Sequence, residues 1–132
     1  MDGVIHVEAY YPAGVQHIIT TGGSHYIGSI NETTVLKYPH AKDDSFALDV
    51  ERTIFVRLGK NDRIIEFKGM HENGLLLEYA SNGSLESYVQ KADNTEEQRM
   101  RIARETAEGV AYAHGKNIII CDINVRNILL DA

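Results

Sequence analysis

Asp122 and Asn127 stand five positions apart, directly before the apolar residues 128–130. The carboxylate of the first can take a proton from a hydroxyl group, and the amide oxygen of the second can bind a metal ion. With a rigid element that holds both, these groups supply what phosphoryl transfer requires of a protein. An Asp and an Asn at this spacing also occur in ordinary surface turns, which is the alternative without chemistry. The elements in the rest of the chain must decide between the two.

The composition is typical of a soluble globular domain. Of the 132 residues, 43% are hydrophobic and 24% are charged, and the formal net charge is −6. This charge argues against a nucleic-acid partner, which would require clustered Lys and Arg. No apolar run approaches the roughly 18 residues of a membrane span, and the first residues have no signal-peptide pattern, so we expect no membrane partner. Cys121 is the only cysteine, which excludes an internal disulfide and favours an intracellular, cytoplasmic location.

The first part of the chain has the pattern of strands and tight turns. Residues 1–17 have no clear periodicity and are expected to form an N-terminal extension. Short runs of β-branched, aromatic and leucine residues, separated by Gly-Gly, Asn-Glu and Asn-Gly turns, then predict five strands. Their expected bounds are 18–21, 26–30, 33–38, 63–67 and 75–79.

One helix is predicted between the third and fourth strands, over residues 46–58. Its apolar face is expected to consist of side chains that recur every four positions, namely Phe46, Val50, Ile54 and Leu58. Gly59 stands where a C-terminal cap is expected. Glu51 lies about 100° around the helix from this face, where it can point inward.

After residues 80–83, which have the composition of a linker, the pattern becomes helical. A short helix is expected over 84–90 and a long one over 95–114. Asn94 and Thr95 precede two acidic residues, as at the start of a helix, and Gly115 marks its end.

This order of elements resembles the eukaryotic protein kinase domain from its glycine loop to its catalytic loop, and the divergent fungal kinase-like proteins in particular. Residues 122–127 match the catalytic-loop pattern Asp-Leu-x-x-x-Asn, and Lys37 matches the lysine of the third strand. Glu51 matches the glutamate that pairs with that lysine. The resemblance implies an α+β fold with a five-stranded antiparallel N-lobe, one helix and the first helices of an incomplete C-lobe. It divides residues 18–132 into an N-lobe at about 18–79, a hinge at about 78–83 and a partial C-lobe at 84–132.

The resemblance also implies roles for individual residues, with ATP and Mg²⁺ as cofactors. Asp122, Lys37, Glu51 and Arg126 would be catalytic, and Asn127 would bind the metal. Arg126 would reach the γ-phosphate or would simply be solvated. The positions that would contact ATP are Gly22, Gly23, Ile27, Val35, Lys37, Leu77, Glu78, Ala80 and Leu129.

The chain also departs from the kinase pattern. Only Gly22 remains of the three glycines in the phosphate-binding loop, and a side chain at His25 should obstruct the approach of phosphate. The Gly22-Gly23 pair is then either a phosphate-binding loop or a tight hairpin turn. Ile120 and Cys121 replace the usual His-Arg before the catalytic aspartate, and we expect Cys121 to be a small buried residue rather than a reactive thiol.

The Asp-Phe-Gly motif, whose aspartate carries the principal metal, does not occur in residues 1–132. Three functions therefore stay open. The chain is the front part of an ATP-dependent protein kinase, a pseudokinase-like module that binds nucleotide or a protein, or an inactive truncated fragment. The protein substrate is left undetermined by the sequence.

Overall fold

A computed structural model describes residues 9–42, 44–91 and 93–131 of the chain. Five strands form a single antiparallel sheet in the order β1-β2-β3-β5-β4. This confirms the expected α+β class with a five-stranded antiparallel lobe. The elements are β1 His17–Thr21, β2 His25–Ser29, β3 Thr34–Pro39, α1 Phe46–Leu58, β4 Phe67–His71, β5 Gly74–Glu78, α2 Leu85–Val89 and α3 Glu96–Gly115.

The sheet has two different faces. On one, which we call the helix face, Val35, Leu75 and Leu77 pack with Leu48 of α1. On the other, the tyrosine face, Leu36 and two tyrosines of β2 and β3 pack against residues 9–18 of the chain. Because residues opposite each other in an antiparallel pair project to the same side, the register of β2 and β3 assigns every side chain of these strands to one of the two faces.

Helix α1 has the predicted bounds, but its predicted apolar face is wrong. Phe46 is 78% exposed and Val50 is 46% exposed, whereas Leu48 and Leu58 are buried. A row of residues at every fourth position drifts by about 40° per step around a helix of 3.6 residues per turn, so it cannot stay on one face and here runs from the exposed Phe46 to the buried Leu58. The buried face follows the spacing 48, 51, 55 and 58 instead, which puts Glu51 on the side of α1 that faces the sheet.

The strand predicted over residues 63–67 is also wrong, because β4 begins only at Phe67. The backbone N–H of Arg63 donates to the side chain of Asn61 in a turn, and its guanidinium donates to Glu108 of α3 at 2.8 Å. The hydroxyl of Tyr112 in α3 donates to the carbonyl of Leu58 at the end of α1. Residues 63–66 therefore form a loop that joins the long helix to the sheet lobe.

Both helices of the second part lie within one residue of their predicted bounds. Thr95 and Gln98 form a reciprocal capping box at the start of α3. Cys121 is exposed, so the prediction that it is buried is wrong. Within the described residues, no helix has both the length and the apolar character needed to cross a membrane.

Candidate active site

The ion pair expected between β3 and α1 is present. The ammonium of Lys37 donates to one carboxylate oxygen of Glu51 at 2.9 Å and lies 2.9 Å from the other. The two side chains are 25% and 28% exposed, so the pair is partly shielded from water but still open on one side. Lys37 lies opposite Leu75 of β5 in the middle of the sheet, which fixes the origin of its long side chain.

Gly74, the first residue of β5, lies close to the backbone of this lysine. A Cβ atom at Gly74 would lie 2.0 Å from the carbonyl oxygen of Lys37, which is far inside van der Waals contact. Glycine is therefore required there for close approach of the two strands.

The catalytic-loop candidates form a connected set of hydrogen bonds. Asn124 donates its side-chain N–H to Oδ1 of Asp122 at 2.6 Å. Asn127 donates to Oδ2 of Asp122 at 3.1 Å and to its backbone carbonyl at 3.0 Å. Each carboxylate oxygen of the exposed Asp122 thus accepts a bond from a fixed amide, so the carboxylate is oriented before any substrate arrives.

Asn124 is a candidate site residue that the sequence analysis did not include. Its side-chain oxygen accepts from the backbone N–H of Arg126 at 2.9 Å while its N–H₂ group orients Asp122. The signal was present in the sequence, since an Asn two positions after an Asp commonly forms such side-chain turns. The Arg126 side chain is exposed.

The catalytic loop is attached to the start of α2. Leu85 donates its backbone N–H to the carbonyl of Ile128 at 2.8 Å, and Glu86 donates to Val125 at 3.0 Å. Ser84 and Leu129 form an isolated antiparallel bridge. The end of the predicted hinge and the catalytic loop are therefore parts of one backbone hydrogen-bond network.

A cavity of about 300 Å³ lies between the predicted hinge, α3 and the predicted catalytic loop. Glu78 and Ala80 of the hinge, together with Leu129, Asp122 and Asn127, are among its lining residues. The structure thus brings the hinge and catalytic-loop candidates to one space. The sheet candidates Lys37, Ile27 and Val35 are not among the residues that line it.

The remaining nucleotide-contact candidates are spread over the sheet lobe. Val35 and Leu77 are only 5% and 6% exposed, because both pack in the core under α1, and Ile27 packs against the same cluster. Gly22 and Gly23 form the exposed turn between β1 and β2, where the Gly22 amide donates to the carbonyl of His25 at 2.8 Å. That bond is typical of a tight hairpin turn, the second interpretation left open by the sequence.

The donor atoms of the loop suit Mg²⁺ in type, because carboxylate and amide oxygens are the ligands that this ion takes. In the part of the chain described, no group of three acidic, His or Cys side chains is placed to hold a metal ion. A magnesium ion at Asn127 would therefore need further oxygen ligands.

Comparison with known proteins gives one family. Residues 31–132 match the family described as protein kinase domain. The chain is 37% identical over 95 residues to mitogen-activated protein kinase kinase kinase 20 of Arabidopsis thaliana, covering 64% of this chain and 28% of that protein. It is 42% identical over 57 residues to the serine/threonine-protein kinase shk2 of Schizosaccharomyces pombe, covering 43% of this chain and 10% of that kinase.

A third relative is human receptor-interacting serine/threonine-protein kinase 1, which is 35% identical over 104 residues. These residues cover 74% of this chain and 15% of that protein. The chain thus spans less than a third of the length of each of these three relatives.

Proposed function

Because this chain belongs to the protein kinase domain family, we propose that it supplies the nucleotide-binding lobe and the catalytic loop of an ATP-dependent protein phosphotransferase. The observation that carries the proposal is the partly buried ion pair between Lys37 and Glu51. A glutamate on the side of a helix that faces the sheet loses hydration, which destabilises the fold unless a cation pairs with its carboxylate. The pair in turn holds the Lys37 ammonium at a fixed position. Such an ammonium is suited to the phosphates of a nucleotide.

The chemistry assigned to the loop follows from its hydrogen bonds. Asp122 accepts the proton of the attacking hydroxyl, and the amides of Asn124 and Asn127 keep its carboxylate turned toward that hydroxyl. Asn127 donates through its amide nitrogen, so its amide oxygen is the atom that would bind Mg²⁺. When bound with ATP, this ion neutralises charge on the transferred phosphoryl group. Arg126 is exposed and would meet the γ-phosphate from the same loop.

The hinge completes the proposal. Glu78 and Ala80 would meet the adenine through their backbone groups, and Leu129 lines the same cavity from the catalytic-loop side. The carbonyl of Ala80 already accepts from Gly83 at 3.1 Å, so its backbone N–H is the better candidate for a contact with adenine. In this proposal the exposed hairpin turn formed by Gly22 and Gly23 would lie over the phosphates.

The relatives support a substrate class. Two of the three are named as serine/threonine-protein kinases, which supports the hydroxyl of a protein Ser or Thr as the acceptor.

An intracellular location, where ATP is abundant, belongs to the same proposal. We expect neither nucleic acid nor a membrane as a partner.

A second candidate is a binding module that holds nucleotide without transferring phosphate. It is favoured for residues 1–132 by themselves, because they contain no Asp-Phe-Gly motif, whose aspartate carries the principal metal in the kinase pattern. The single neutral amide oxygen of Asn127 provides a weak magnesium site. We therefore expect these residues alone to bind ATP weakly and to show no metal-dependent phosphorylation of a generic protein substrate.

The test combines binding with phosphoryl transfer. A fluorescent ATP analogue should bind to residues 1–132 and should lose its affinity in Lys37→Met. The transcript is then sequenced past the codon of Ala132. If it continues in frame into an Asp-Phe-Gly-like tripeptide, the longer product should transfer radiolabelled phosphate, and Asp122→Ala should reduce the rate about 100-fold or more. An inactive longer product would favour the binding module, and turnover by residues 1–132 that Asp122→Ala abolishes would overturn the argument about the metal.

A further inference from the structure

We propose that the imidazole of His25 is a second cationic ligand for the nucleotide phosphates, so that the site binds nucleotide more tightly as the pH falls. This inference rests on the nucleotide-binding function proposed above and adds to it a residue and a proton dependence. It replaces the expectation from the sequence that the His25 side chain only obstructs phosphate.

The first argument is the position of His25 in the sheet. In the register of β2 and β3, Ile27 lies opposite Lys37 and His25 lies opposite Pro39. Alternate residues of a strand share a face, so His25 projects to the helix face together with Ile27 and Lys37. The imidazole is half-buried, and its Nδ1 lies 2.8 Å from the hydroxyl of Ser24. Nε2 is then the ring atom that can meet a ligand.

The second argument is the charge balance of the site. The ammonium of Lys37 is already paired with the carboxylate of Glu51, so the two together contribute no net charge. The phosphates of a nucleotide bring several negative charges, and a hydrogen bond between two charged groups is about twice as strong as a neutral one. A histidine beside the pair can supply the missing positive charge by binding a proton, which a backbone amide cannot do.

The third argument is the electrostatic environment of the imidazole. Burial is the largest influence and lowers the pKa of His25, and the positive charges of Lys37 and His40 lower it further. The carboxylates of Glu51 and Asp44 act in the opposite direction. These four groups come from β3, from the segment after it, from α1 and from the segment before α1.

The direction of the pH effect follows from these charges. Without nucleotide, His25 is largely neutral at pH 7 because its pKa lies below the ordinary value. Bound phosphate stabilises the imidazolium, so binding takes up a proton and the affinity rises as the pH falls. A histidine that only obstructed the site would give the opposite result in a variant, since its removal would improve binding at every pH.

The experiment measures the affinity of residues 1–132 for a fluorescent ATP analogue at pH 5.5, 6.5 and 8.0. Wild type is compared with His25→Gln, His25→Lys and His17→Gln, the last being a matched histidine that is exposed in β1. The terminal phosphate itself titrates near pH 6, so only the difference between variants at each pH is interpreted. Far-ultraviolet circular dichroism confirms that each variant is folded.

We expect His25→Gln to bind about tenfold more weakly than wild type at pH 5.5 and almost equally at pH 8.0. At pH 8.0 His25→Lys should bind more tightly than wild type, because its charge is permanent, and His17→Gln should match wild type throughout. Calorimetry in two buffers of different ionisation enthalpy should detect proton uptake by wild type that exceeds the uptake by His25→Gln.

Two results would overturn the inference alone. One is that Lys37→Met weakens nucleotide binding, but wild type and His25→Gln show the same dependence of affinity on pH. The other is tighter binding by His25→Gln at all three pH values. If the nucleotide analogue does not bind, or if Lys37→Met does not change its affinity, the nucleotide function and this inference are both overturned.

Discussion

Replacing Glu51 by Gln is expected to weaken nucleotide binding more than it weakens the fold. Glu51 lies on the side of α1 that faces the sheet and holds the ammonium of Lys37 at 2.9 Å. Without the carboxylate, the four-carbon side chain of the lysine can adopt other rotamers, and each rotamer that turns away from the phosphates reduces the fraction of competent protein.

The size of the two effects follows from the exposure of the pair. Two unit charges at this distance attract strongly in a dry interior, but both side chains remain about a quarter exposed and water screens them. We expect Glu51→Gln to lower the free energy of unfolding by about 1 kcal/mol. This loss lies between those measured for surface ion pairs and for fully buried ion pairs. Nucleotide affinity should fall about tenfold or more, because a displaced binding group loses most of its contact energy.

Urea unfolding and titration with a fluorescent ATP analogue measure the two effects separately. Lys37→Met and the double variant with Glu51→Gln complete a double-mutant cycle, which isolates the coupling free energy of the pair. Glu32→Gln is the matched control, because it removes the same charge from an exposed turn between β2 and β3. Tighter binding by Glu51→Gln would refute the reasoning, since it would mean that freeing the ammonium charge matters more than holding its position.

Three further predictions concern stability. Gly74→Ala should cost about 2 kcal/mol or more in urea unfolding, since its Cβ would meet the carbonyl of Lys37, whereas Gly23→Ala, with open space around it, should cost little. Thr95→Ala should remove the capping box of α3 and cost about 1 kcal/mol, seen as a lower midpoint of thermal unfolding. Burial raises the pKa of Tyr38 to about 12. The unfolded chain releases this proton from about pH 10, so stability should fall between pH 10 and 12 by up to about 3 kcal/mol, and Tyr38→Phe should flatten that part of the profile.

The arrangement of the sheet lobe could be predicted from the sequence because each strand carries its own turn signal. Asn73 lies in the turn after β4 and Gly74 begins β5, and the Gly22-Gly23 pair separates β1 from β2. The pairing of Lys37 with Glu51 was predicted from the resemblance to the protein kinase domain, in which the lysine of the third strand pairs with a glutamate of the next helix. The spacing of Asp122 and Asn127 likewise sufficed to predict a common loop.

The errors arise where tertiary contacts override local pattern. Residues 63–67 contain two isoleucines and a phenylalanine, which favour a strand, but Arg63 is held by Glu105 and Glu108 of a helix that begins some thirty positions later. A local pattern contains no information about such a partner. The face of α1 was misjudged for a different reason, since four apolar residues at equal spacing are conspicuous in a sequence although a helix does not repeat every four residues.

The geometry of the catalytic loop depends on α2, and α2 in turn depends on the loop. A helix of five residues is too short to be stable in water, and the N–H groups of its first turn need acceptors from outside the helix. Ile128 and Val125 provide two of these acceptors for Leu85 and Glu86, and the Ser84 hydroxyl accepts from the third N–H of the turn. Each loop carbonyl in turn gains a donor that water would otherwise have to supply. The loop that holds Asp122 and the start of α2 should therefore form together, and any change that frees one of them should release the other.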